Sequence, residues 1–161
     1  MINIEAIKEL FLNKNIQIHK AMLSPKLEAE HFPDDINEYL CIMSNSVKLH
    51  VSPYGTAKTY LMSQKEIIEE YRSEELLPII NNNCLMIGFG ANGDLICLNL
   101  VSGDVTYVFH DILWEEPEES FDEMSISLNM KLEQFLKLAF SEEDYPFDAH
   151  LAEKYVNSDL K

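Results

Sequence analysis

The sequence predicts an α+β fold in which a central, mostly antiparallel twisted sheet is flanked by helices. Three observations carry that expectation. The stretch from 84 to 110 holds three apolar runs, CLMIGFG, DLICLNLV and DVTYVFH, divided by Asn92-Gly93 and Ser102-Gly103. Residues 47–51, VKLHV, alternate apolar and polar side chains as a half-buried strand does. Toward both ends of the chain, apolar residues recur instead at helical spacing.

The elements follow in order. Ile4, Ile7, Leu10 and Phe11 fall on one helical face. In FPDDINEYLCIM, Pro33 presets a first turn, Asp34 and Asp35 suit the positive helix end, and Ile36, Tyr39, Leu40 and Met43 form a stripe. After VKLHV, the residues Pro53, Tyr54 and Gly55 make a turn from which AKTYLM returns as a second strand. Ser63 and Glu66 have the spacing of a capping box, in which each side chain accepts from the other's backbone amide. A helix carrying Ile67, Ile68 and Tyr71 is expected next, with Pro78 ending the segment. The runs between 84 and 110 then form a three-stranded antiparallel meander. Asn92-Gly93 tolerates the positive φ that a type I′ turn requires at both positions, and Asp104 follows Gly103 in a second tight turn. These runs are apolar on both faces, which predicts a sheet that is covered on both sides or forms the centre of the domain. Beyond Trp114, EEPEE reads as a charged loop. A helix carrying Leu128, Leu132, Phe135, Leu136 and Phe140 follows, and Asp148 can cap a last short helix containing Leu151 and Tyr155.

At 161 residues the chain reads as a single domain over 1–161, long enough to bury a core. Apolar residues make up 47% and charged residues 25%, an ordinary globular composition. The balance of 28 acidic against 12 basic side chains gives a formal charge of −16. Charge of that sign disfavours nucleic acid and membrane surfaces as partners; it either favours a cationic protein, approached with electrostatic steering, or serves solubility alone. MINIEAIKELF lacks the basic-then-apolar pattern of a secretory leader, and no apolar stretch is long enough for a bilayer. Cys41, Cys84 and Cys97 are odd in number, far apart and set among apolar residues. They read as reduced core thiols of a cytoplasmic protein rather than a disulfide frame or a zinc site.

The stretch GFGANGD matches the dinucleotide fingerprint G-x-G-x-x-G through Gly88, Gly90 and Gly93, with Asp111 at a suitable distance for a ribose. A dinucleotide site needs those glycines to open a helix whose amides meet the pyrophosphate. Here they run into the alternating DLICLNLV, so they read as a strand end and a turn, and Asp94 as a residue of the fold. The histidines His19, His31, His50, His110 and His150 have no metal-binding spacing. His110-Asp111 could be a base and its orienter, but neighbours on a strand point to opposite faces. No serine elbow and no catalytic cysteine setting occurs. The expectation is therefore a protein without catalytic residue, cofactor or metal. Glu115, Glu116, Glu118 and Glu119 around Pro117 lack the spacing of a calcium loop. They are either a solvated loop or a docking surface for Lys and Arg, and Trp114 beside them is either core or a binding hot spot.

The order of these pieces resembles the SUKH superfamily, named for a yeast regulator of cell-wall synthesis and abundant among bacterial immunity proteins. FPDDINEYL (32–40) is similar to the family's proline-led helix, and LMSQKEIIEEY (61–71) to the segment leading into its second main helix. GANGDLICLNLVSGDVTYVFHD (90–111) is similar to its G-D-x-[IL]-x-L-x-L hairpin, with Gly93-Asp94 at the key turn and a third strand ending in His110-Asp111. KLEQFLKLAF matches its closing helix, with Lys131 where a serine is usual, and SNS at 44–46 replaces the family's Asn-Gly-Gly. The resemblance spans roughly residues 32–140. It implies the α+β fold above and a non-enzymatic protein that neutralises a cognate toxin, often a basic nuclease, by direct binding. Tyr54, Trp114, Glu115, Glu116, Glu118 and Glu119 are the contact set that this reading selects. A regulatory interaction module of the same fold, or a small acid–base enzyme using His110, are the alternatives.

Overall fold

The computed structural model describes residues 1–116 and 118–158; Pro117 and 159–161 lie outside the described residues. The chain runs α1 (Ile4–Asn13), α2 (Pro25–Glu28), α3 (Asp34–Ile42), β1 (Val47–Val51), β2 (Ala57–Leu61) and α4 (Gln64–Glu70). A 3-10 turn over Glu74–Leu76 leads into α5 (Leu77–Asn81), followed by β3 (Cys84–Gly90), β4 (Leu95–Asn99) and β5 (Asp104–Val108). Then come α6 (His110–Glu115), α7 (Phe121–Met124), β6 (Ser125–Lys131), α8 (Leu132–Ser141) and α9 (Ala149–Ser158). The fold is α+β. The sheet has six strands in the order β1-β2-β3-β4-β5-β6, every adjacent pair antiparallel. The expected meander is thus the middle of a longer one.

Register fixes what each face carries. Directly paired residues point to the same side, so Ile96 and Tyr107 share one face while Met86, Cys97 and Thr106 share the other. On the first face, Tyr107 meets Phe135 of α8 edge-on, and its hydroxyl donates to the Pro146 carbonyl at 2.8 Å. Thr59 bonds the Tyr145 hydroxyl there at 2.7 Å. On the second face, Met86 packs with Ile67 of α4 and with Ile79 and Ile80 of α5. β3, β4 and β5 are accordingly buried nearly throughout, as their two-sided apolar pattern predicts.

Several local expectations hold in detail. The face of α1 with Ile4, Ile7 and Phe11 is buried, as is the stripe Ile36, Tyr39, Leu40 and Met43. The Ser63–Glu66 capping box forms, and the Tyr60 hydroxyl also donates to Glu66. Asp148 caps α9 by accepting from the Leu151 amide at 2.8 Å. The cysteines are free, with Cys84 and Cys97 buried and Cys41 partly so.

Four expectations are corrected. Leu128 belongs to a strand, not a helix: SISLNMK alternates Ile126, Leu128 and Met130 and pairs with β5, and the helix starts at Leu132. Pro78 does not end a segment; it sits in the first turn of α5, where its missing amide costs nothing. The Asn92-Gly93 turn is not type I′. Only Gly93 has a positive φ (94°), and the Gly90 amide donates to the Asp94 carbonyl at 2.7 Å, the pattern of a type I turn closed by a glycine bulge. Finally, His110 and Asp111 do not end a strand; β5 stops at Val108 and both residues open α6.

Candidate functional site

That last correction sets the geometry of the site. On a helix, residues 110, 111 and 114 lie on neighbouring positions of one surface, as strand neighbours would not. The His110 ring is held between two carboxylates, with Nδ1 at 2.8 Å from Asp94 Oδ1 and Nε2 at 2.7 Å from Asp111 Oδ1. It also meets the Trp114 ring edge-on, with centroids 5.5 Å apart.

Asp94 anchors this arrangement. It is 1% exposed and accepts from the His110 amide, the His110 ring and, through its other oxygen, the Ala149 amide at 2.9 Å. One side chain therefore joins the β3–β4 turn to the first turns of α6 and α9. Burial works to raise its carboxyl, but the hydrogen bonds from His110, Ala149 and Asn92 together outweigh it and hold the carboxyl below the ordinary range. Asp94 is the fold residue that the turn reading assigned to it. The glycines beside it open no helix: Gly90 ends β3, Gly93 leads into β4, and a Cβ at Gly90 would come within 2.5 Å of the Phe147 carbonyl.

Trp114 is half exposed (50%), which overturns the core reading. Together with Leu113 and Pro78 it floors a cleft of about 330 Å³ whose rim carries Glu74 and Glu75. These two glutamates, remote in sequence, were absent from the expected contact set. Their helix-start position hid them, because acidic residues in a first turn are ordinary. Glu115 is the last residue of α6, and Glu115, Glu116, Glu118 and Glu119 are all exposed. Glu119 and Glu123 crowd each other: a hydrogen bond and the neighbouring charge push the Glu119 carboxyl up, while Ser120 and Glu119 hold Glu123 down. No Lys or Arg occurs between Arg72 and Lys131. Lys131, which bounds that stretch, is itself paired with Asp104 at 2.8 Å across β5–β6.

Tyr54, 95% exposed, is not part of this cleft. It sits in the β1–β2 turn, at the same end of the sheet but several strands away, roughly 15 Å at ~4.8 Å per strand. A larger apolar groove of about 610 Å³ lies between β6, α8 and α9, and none of the expected contact residues lines it. Among the described residues no cluster of His, Cys, Asp or Glu could hold a metal ion, and no helix is long and apolar enough to cross a membrane. No protein-family model, curated protein or solved structure matches the chain.

Proposed function

We propose that this protein binds a cationic protein partner, in the manner of an immunity protein that neutralises its cognate toxin stoichiometrically, through the acidic face around Trp114. The observation that carries the reading is the cleft itself: an exposed indole floor beside Glu74 and Glu75, continuous along α6 with Glu115 and Glu116, in a stretch free of Lys and Arg. Such a floor suits the apolar stem of a Lys or Arg, and the rim suits its charge. The similarity of residues 32–140 to the SUKH superfamily supports the same conclusion, since a basic nuclease presents the complementary surface. Close, desolvated charge pairs in interfaces of this kind contribute roughly 1.5–7 kcal/mol, and rim pairs mainly raise the association rate.

The acid–base enzyme is the weaker reading. His110 lines neither the Trp114 cleft nor the larger groove beside β6, so neither brings a substrate proton to its ring. The test is a pull-down with the product of the adjacent reading frame, followed by calorimetry. Salt-sensitive binding of one partner per chain, weakened by Glu74→Gln/Glu75→Gln, is expected. Absence of binding, or binding indifferent to salt, would contradict electrostatic capture.

A further inference from the structure

We propose that His110 is a proton-controlled clamp on α6, holding Asp94 with one ring nitrogen and Asp111 with the other only while the ring is doubly protonated. The two short contacts, 2.8 Å and 2.7 Å, both end on carboxylate oxygens, which accept and do not donate when ionised. A neutral imidazole has one N–H and so satisfies one of them. The two partners differ in how firmly they are placed. The Asp94 side chain is 2% exposed and fixed by backbone amides on two helices, whereas the Asp111 side chain is 71% exposed and free to turn into solvent. Loss of the ring proton therefore keeps the Asp94 bond and releases Asp111.

The consequence falls on Trp114. Its ring lies against His110, so deprotonation removes a positive charge beside the indole and frees one carboxylate on the same helix. The other ionisable groups around the clamp are engaged elsewhere or carry one sign. From α9, Asp148 caps its own helix and His150 packs on Phe109. From the turn before α5, Glu74 and Glu75 lie across the cleft, and on α6 itself Glu115 follows Trp114. Carboxylates as a class titrate near ~4 and imidazoles between about pH 5 and 8, which separates the two events. If the cleft captures a cationic partner, as proposed above, its affinity rises as pH increases through the clamp transition. The clamp itself is tested without any partner, so its failure and the failure of the binding reading are distinguishable.

Trp114 is the single tryptophan of the chain, so its emission reports on this site alone. A protonated imidazole against an indole quenches it by accepting its excited-state electron, and the neutral ring quenches weakly. The experiment is a pH scan of the emission of the free chain from about pH 5 to 9. The wild type is expected to brighten in one single-proton transition, and His110→Gln, which can still donate to Asp94, to give a flat trace. Asp111→Asn, an exposed change, is expected to keep the transition and move its midpoint to lower pH. A merely structural His110 would not produce that shift. The clamp is overturned by a flat wild-type trace, by a transition that persists in His110→Gln, or by an unchanged midpoint in Asp111→Asn. A transition abolished by Glu74→Gln/Glu75→Gln would equally overturn it, by assigning the proton to the cleft rim.

Discussion

Asp94 is where one residue decides most. Its carboxylate is buried and accepts from His110 and Ala149, so Asp94→Asn replaces an acceptor by an amide that faces those donors. The expected cost is about 1.5–3 kcal/mol, read from urea denaturation at pH 7. The folded-state carboxyl is depressed, so its contribution is present above the ordinary carboxylate range and lost as pH falls through the folded-state value. The gap between wild type and Asp94→Asn should therefore shrink below about pH 4, and a gap that stays constant there would remove the ionised carboxylate from the account. Gly88 makes a second residue-scale case. An ideal Cβ at this position lies 2.1 Å from the Tyr60 carbonyl oxygen, so Gly88→Ala must push β2 and β3 apart, at about 1–3 kcal/mol. The residue scale is also where sequence reasoning was weakest. That GFGANGD is a turn and not a phosphate loop follows from the strand behind it, yet nothing in the string places Asp94 under His110, because that contact forms only when the β3–β4 turn and α6 meet.

Among the elements, legibility tracked how local the signal was. The Ser63–Glu66 box and the Asp148 cap rest on groups within three residues, and both form as read. Ser63→Ala should cost about 1 kcal/mol in thermal or urea unfolding, and a smaller loss would mean that the Tyr60–Glu66 bond alone holds the start of α4. β6 is hidden for the opposite reason. SISLNMK alternates with period two, but it abuts the helical pattern of LEQFLKLAFS, and Leu128 lies four residues before Leu132, so one helical stripe fits both. Only pairing with β5 separates them. The end of β5 is hidden in the same way, since Val108 and Phe109 run into His110 and Asp111 with no Gly or Pro to mark the turn into α6. Of the cleft, Trp114 is legible in the sequence, whereas Glu74 and Glu75 lie about 40 residues away in the turn before α5 and meet it only in the folded chain.

The whole molecule carries a charge of −16 and few ion pairs to offset it, the clearest being Lys8 with Glu5 and Glu38, Arg72 with Glu30, and Lys131 with Asp104. Self-repulsion should then dominate the response to salt, and Tm should rise between about 0.02 and 0.2 M NaCl; a fall would mean that the surface pairs outweigh it. The acidic excess is concentrated where the chain lacks Lys and Arg, around an exposed tryptophan, and that coincidence is the central claim. Its most direct measurement is titration calorimetry of this chain with the product of the adjacent reading frame, at about 50 and about 300 mM salt, for wild type and Trp114→Ala. The account predicts one-to-one binding that weakens at least tenfold at the higher salt and loses a further tenfold or more, about 1.4 kcal/mol, in Trp114→Ala. Binding of equal strength at both salts, or unchanged by loss of the indole, would contradict it.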